Sequence, residues 1–277
     1  METILELSKF NHVKYYDGPH KYFIGDRELM SATRFIGMFK PKFETQRIAE
    51  EYAAKRGLDV NDVIADWDLK RDTSTVKGSA VHDYAENWWN NKEFPYDPSV
   101  AIKQFGHDII KEKFDKCQQI FKNFYEDSRI NLVPVKMELV VGDEDYGLGG
   151  MVDCLFYNKK SGMLEVWDYK TNKAINIKNN YGQRFNEPIS HLDVCEINTY
   201  SLQLSLYKHI IEKNTNLKIG NCYLIWINEK NKNYKVYKCK DLEAEIKLML
   251  EENIFTIFTF YVWLVCHIDF NLLSPLT

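Results

Sequence analysis

The stretch "EVWDYKTNKAINIK", Glu165 to Lys178, starts as an apolar strand and ends as a basic, asparagine-rich loop. Side chains alternate across a strand, so Leu164, Val166, Asp168 and Lys170 share one face. Two of these belong in a core. The other two are ionisable and stand where the strand leaves it. One strand upstream, Asp153 sits inside "GGMVDCLF" (149–156) among apolar residues. The link between the two strands is short, so they are expected to pair antiparallel with Asp153 close to Asp168. Neighbouring carboxylates on an apolar sheet repel and are costly to desolvate. A divalent cation removes both problems, because Mg²⁺ and Mn²⁺ prefer carboxylate oxygens. Lys170 then has a role beside it: an ammonium orients a nucleophile or stabilises charge on a phosphate. Taken alone, Asp-x-Lys reads as a salt bridge on a sheet surface; Asp153 one strand upstream, after a Gly-Gly, turns the reading toward a site.

Working outward, "VKMELVV" (135–141), "GMVDCLFYN" (150–158) and "MLEVWDY" (163–169) read as three strands of a meander, with turns at 143–149 and 158–162. Upstream, residues 12–37 read as a small β element around Asp17-Gly18-Pro19 and Gly25-Asp26. Residues 44–70 read as helix with a break at Gly57, and 72–77 as a polar link. Helices follow at 79–89, with Ser79 as N-cap, and at 99–127. Downstream, helix at 197–213 precedes strands at 222–228 and 234–239 and a helix at 241–252. This order predicts an α/β chain with a mixed central sheet flanked by helices. The expected organisation is a single domain: residues 1–70 as an N-terminal β/helical annex, 71–252 as the core, and 253–277 as an apolar tail. The run Ile254–Cys266 has 13 residues, short of the ~20 that span a bilayer, so no membrane span is expected.

Other side chains fit the same site. His82 and Glu86 in "KGSAVHDYAE" are i,i+4 neighbours, and His82 is either an imidazole ligand or a structural histidine. Glu138 on the first meander strand is either a supporting carboxylate or a surface residue. Gln203 and Tyr207 share a helical face, as a buried polar patch or as groups that position substrate or lysine. Lys170, Lys173, Lys178 and Arg184 stand in a stretch without acids, as a loop tracking phosphates would. Tyr15, Tyr16, Tyr22 and Phe23 either stack on bases or build a hairpin core.

The net charge of −4 excludes a chain coated in positive charge and leaves a local basic groove open. The six cysteines show no C-x-x-C pair and no zinc or iron–sulfur spacing. The opening "METILELSKFNH" lacks the basic and apolar regions of a secretory leader. A cytoplasmic, non-secreted chain with reduced thiols is expected.

Four motifs in order resemble the PD-(D/E)XK nuclease superfamily, in its RecB-like exonuclease branch. They are Gly78-x-x-x-His82-x-x-x-Glu86, Gly150-x-x-Asp153, Asp168-x-Lys170 and Gln203-x-x-x-Tyr207. "HKYFIGDRELMSATRFI" and "KRDTSTVKGSAVH" look like phage-encoded exonucleases of that branch and, more distantly, the mitochondrial genome maintenance exonuclease. The resemblance implies a restriction-endonuclease-like fold. It implies metal ligands at His82, Asp153, Asp168 and the Tyr169 carbonyl, and Lys170 as the catalytic lysine. Gln203 and Tyr207 would shape the site. Some members carry an iron–sulfur cluster on four cysteines; the positions here do not match, so none is expected. The implied activity is a Mg²⁺- or Mn²⁺-dependent DNA exonuclease acting on single strands or free ends, alongside viral replication or recombination proteins. Rival readings are a flap-type endonuclease and a non-catalytic nucleic-acid-binding protein of the same fold.

Overall fold

A computed structural model of the chain describes residues 2–90, 107–179 and 181–253. The apolar run 254–266 and the start of the helix expected at 99–127 lie outside the described residues.

The chain begins with a short helix α1 (Glu2–Leu7) and the strands β1 (Val13–Tyr16), β2 (Lys21–Ile24) and β3 (Arg27–Ser31). Helix α2 (Ala32–Met38) follows directly, which corrects the β reading of residues 32–37. The Ser31 side chain accepts the Arg34 N–H and so caps a helix where strand was expected. Helix α3 (Thr45–Arg56) ends on Gly57, whose φ of 66° places it in the left-handed region that a C-cap favours.

Helix α4 (Val60–Trp89) is continuous through 30 residues. The polar link at 72–77 and the N-cap at Ser79 are therefore corrected. Asp59 caps the helix instead, accepting the Asn61 and Asp62 N–H groups. Thr73 and Thr75 keep the turn helical by donating their hydroxyls back to the Leu69 and Arg71 carbonyls. Its second half buries Ala80, Val81, Tyr84, Ala85 and Trp89, so packing overrides the polar sequence.

Helix α5 (His107–Ser128) leads into the long meander β4 (Leu132–Asp143), β5 (Leu148–Asn158) and β6 (Met163–Lys170). Then come α6 (Glu196–Asn214), β7 (Ile219–Trp226), β8 (Lys235–Lys238) and α7 (residues 243–253). The eight strands form one mixed sheet, ordered β1-β2-β3-β5-β6-β7-β8 with β4 paired to β5. Helix α6 covers one face with α2, through Phe35, Leu202, Leu206 and Ile210. On the other face α4 and α5 pack Tyr84, Trp89, Phe121 and Phe124 on Phe156, Trp167 and Tyr169. The annex expected at 1–70 shares this framework: β3 pairs with β5, and α4 runs through residue 70. No helix among the described residues is long and apolar enough to cross a membrane.

One register detail places the site. β4 runs along one edge of β5, and the other edge is shared. β3 pairs in parallel at Leu148 and Gly149, and β6 pairs antiparallel from Cys154 to Asn158. β6 leaves β5 after Trp167 yet stays with parallel β7 as far as Lys170. The sheet splays there, and the Asp153 carboxylate accepts the Tyr169 N–H at 2.8 Å in place of a ladder carbonyl.

A buried ion pair ties α4 to the end of this splay. Lys77 donates to Glu229 at 2.8 Å and to the Thr171 carbonyl at 3.1 Å. Lys77→Ala should destabilise the fold by ~3–5 kcal/mol, because Glu229 is left buried and unpaired. Replacing both residues by Met should recover most of the loss. Urea denaturation measures both; a single-variant loss under about 1 kcal/mol would show that water substitutes for the pair.

Candidate active site

Three carboxylates line up across the splay. Met137↔Cys154 and Leu139↔Val152 bracket Glu138 opposite Asp153, and Asp168 is the first residue of β6 beyond its last pair with β5, Trp167↔Cys154. Glu138 has φ 47°, a left-handed backbone that costs a non-glycine residue ~1–3 kcal/mol and gathers at functional sites. Glu138, Asp153 and His82 bring one ligand atom each within 4.8 Å of one another. His82 reaches in from α4, its Nδ1 3.2 Å from Asp153 Oδ2. Asp168 and Lys170 face the α6 side as an ion pair, and Lys170 Nζ lies 4.6 Å from the Tyr200 ring centroid.

The electrostatics show what the arrangement lacks. Burial, then the nearby Asp153 charge, pushes Glu138 up to about 8. The same two causes raise Asp168 to about 6. Burial alone would lower His82, but the Asp153 carboxylate overrides it and raises the imidazole to about 9. Asp153 is also desolvated, yet His82, Lys170 and the Tyr169 N–H hold its carboxyl below the usual range. Burial opposes the charge on Lys170, but Asp168 and Asp153 raise it well above the ordinary lysine value, so it stays an ammonium. Asp168 Oδ2 is buried, and the Lys170 ammonium is its partner.

An imidazole and a row of carboxylate oxygens form a donor set that fits a hard divalent cation. His82, Glu138 and Asp153 would hold it, with Asp168 alongside. Tyr169 contributes its N–H to Asp153, and its ring is buried on the opposite layer against Trp89.

Gln203 and Tyr207 sit behind this row. Gln203 Nε2 donates to the Tyr207 hydroxyl at 3.0 Å, and both side chains are buried. Tyr207 packs flat on Gly150: a Cβ there would lie 2.3 Å from its Cε1. The glycine of Gly-x-x-Asp is thus a steric partner of the Gln-x-x-x-Tyr motif. Gly78 on α4 is less constrained, since a Cβ there would meet Thr171 Oγ1 at 3.4 Å. Glu86 lies one turn beyond His82 and accepts from Asn90 at 3.3 Å.

The basic residues divide between two clefts. Lys173 lines one of 740 Å³ with Lys70, Arg71, Lys77, Lys113 and Lys230, against one acid, Glu229. Lys178 lines another of 430 Å³ with Lys40. Arg184 lines neither and lies 3.9 Å from Asp193. Tyr15 and Tyr22 pack together at 5.0 Å, as do Tyr16 and Phe23 at 5.4 Å, while Tyr16 remains exposed. Sequence reasoning missed Lys77, Lys113, Lys230 and Tyr200. Only Lys77 carried a signal, next to Gly78. The five cysteines among the described residues are free and buried.

A mixed sheet splayed around a row of carboxylates with an adjacent lysine defines a site suited to metal-assisted phosphodiester chemistry. The model of the PD-(D/E)XK nuclease superfamily matches residues 42–258, and the chain belongs to that superfamily. No curated protein matches. Among solved structures, "Crystal structure of SSO0001" is 14% identical, covering 70% of this chain and 86% of that one with a TM-score of 0.27. So slight a superposition adds nothing to the site. The fold and superfamily expected from the motifs thus hold, with a nuclease function and a nucleic-acid substrate.

The proton affinities of His82 and Glu138 make the metal-free fold sensitive to pH. His82 and Glu138 both have folded values above their unfolded ones, so the metal-free native state binds more protons. Their contribution to stability is lost as pH rises through about 8 and about 9. In EDTA the Tm should fall between pH 6 and 9, and within that range Mn²⁺ should raise it most at pH 9, where protons compete least. The double variant His82→Asn with Glu138→Gln should flatten both trends. A Mn²⁺ effect that ignores pH would assign the cation to other ligands.

Proposed function

We propose that this protein is a metal-dependent DNA exonuclease of the RecB-like branch, acting on single strands or free ends in replication, recombination or repair. The observation that carries the reading is the Lys170 ammonium set against the row Glu138, Asp153 and Asp168. When bound, Mg²⁺ or Mn²⁺ supplies positive charge at the scissile phosphate and lowers the pKa of water. His82, Glu138 and Asp153 would hold that cation with Asp168 alongside, and Asp168 fixes Lys170.

Lys170 has a raised pKa and therefore no free lone pair at neutral pH. It acts as a fixed cation that orients the attacking water or stabilises charge on a phosphate oxygen, not as a general base. Tyr200 limits where its ammonium can swing. Gln203 and Tyr207 form a wall behind the reacting groups and keep bulk water out. Lys173, with the other cations of its cleft, meets the backbone, and Lys178 meets it on the other side of the loop. Arg184 adds charge at the rim. The exonuclease mode is supported by the likeness of the His20–Ile36 and Lys70–His82 segments to phage-type exonucleases. The whole chain acts as one nuclease domain, with residues 1–70 as its N-terminal elaboration.

The test uses 5′- and 3′-labelled single-stranded oligonucleotides and a single-stranded circle, with Mg²⁺, Mn²⁺ or EDTA. The protein should release nucleotides from an end only with metal and leave the circle intact. Lys170→Ala and Asp153→Ala should cut the rate by at least ~10²–10³-fold with an unchanged circular dichroism spectrum. Cleavage of the circle would make the protein an endonuclease. Unimpaired cleavage by Lys170→Ala would refute the assignment of this site.

A further inference from the structure

The 430 Å³ cleft shares a wall with Lys170. Tyr200 lines the cleft, and Lys170 Nζ lies over the same ring. The cleft also carries two cations. Lys40, half-buried after α2, has the Phe185 ring 5.9 Å away and forms no ion pair among the described residues. Burial lowers its pKa, and the charge of Glu196 across the cleft offsets part of that shift. Lys178 is exposed and likewise unpaired among the described residues. The one acid in the lining, Glu196, accepts the Asn176 N–H at 3.2 Å.

The cleft further presents an aromatic face. Asn179 fixes the loop: its Oδ1 accepts the Tyr181 and Gln183 N–H groups, and its Nδ2 donates to the Val194 carbonyl. This holds Tyr181 at the mouth with 88% of its surface exposed. An aromatic face beside unpaired cations is the chemistry that recognises an unpaired base and its phosphate. Asn172 lines both this cleft and the larger basic one, so it forms the ridge between them, two residues past Lys170. A chain lying in both clefts crosses the site at that ridge. The volume of 430 Å³ sits in the lower part of the ~300–1,000 Å³ range of small-molecule pockets, room for one nucleotide and not for a duplex.

We propose that this cleft is a subsite for one unpaired nucleotide of a single-stranded polynucleotide, with Lys40 and Lys178 on its phosphates and Tyr181 stacked on its base. The proposal rests on the nuclease reading of the adjoining carboxylates, and it extends that reading to the neighbour of the scissile phosphate.

Fluorescence anisotropy with a 5′-fluorescein oligothymidylate in EDTA tests it without any cleavage, over a range of NaCl concentrations. Lys40→Ala combined with Lys178→Ala should weaken binding about tenfold or more. It should also reduce the slope of log K against log salt by about 1.4, from ~0.7 per phosphate on a single strand. Tyr181→Ala should cost about tenfold with the slope unchanged. Lys178→Glu, at an exposed position that does not endanger folding, should weaken binding alone. A duplex with one labelled strand should lose less than about twofold in every variant. Unchanged affinity and slope in the lysine variants, or equal losses for duplex and single strand, would overturn the subsite. Parallel cleavage by Lys170→Ala separates the two claims: activity there refutes the nuclease site, while anisotropy independently reads the cleft.

Discussion

Three carboxylates side by side across three strands are the constraint on which the rest of the site depends. At cross-strand spacing of ~5 Å and an effective dielectric near 20, an ionised Glu138–Asp153 pair repels by roughly 3 kcal/mol. The protein distributes that cost unevenly. Asp153, in the centre, keeps its charge because His82, Lys170 and the Tyr169 N–H converge on it. Glu138 and Asp168, on either side, are driven toward the protonated form. A site built this way is stable with protons or with a cation and poorly stable with neither. The splay of β6 from β5 follows from the same fact, since a closed ladder would leave the Asp153 carboxylate no N–H to accept.

The helices on both faces meet the site for different reasons. From the α4 layer comes His82, carried by a helix whose lower half is anchored through Lys77 to the loops after β6 and β7. From the α6 layer come Tyr200, Gln203 and Tyr207, the last seated where Gly150 has no Cβ. The motifs are therefore interlocking parts: the glycine makes room for the tyrosine, and the tyrosine closes the space behind the aspartates. The chain carries a net charge of −4, yet six cations against one acid line the cleft beside this arrangement. Local placement, not composition, decides where a polyanion can bind.

Much of this was legible in the sequence. The period-two strands and their turns gave the meander, and the antiparallel link set Asp153 near Asp168, since side-chain alternation depends only on local spacing. His82 was a candidate because its helix spacing put it on one face with Glu86. The polar segment 72–77 misled, because threonine hydroxyls that satisfy the preceding turn look the same in sequence as a loop. The direction of Glu138 depends on a bulge between Pro134 and Lys136 and on a left-handed backbone. Alternation alone does not show either. The second basic cleft was invisible for a related reason: Lys70, Lys113, Lys173 and Lys230 come from four separate segments brought together only by the fold.

The most direct measurement is pulsed electron paramagnetic resonance of Mn²⁺ added to the metal-free protein, beside His82→Asn. The account predicts one bound Mn²⁺ with hyperfine coupling to a single imidazole nitrogen. That coupling should vanish in His82→Asn, and binding should be lost in Asp153→Ala. A bound Mn²⁺ without nitrogen coupling, or with coupling that persists in His82→Asn, would contradict the claim that His82 and the carboxylate row form one metal centre.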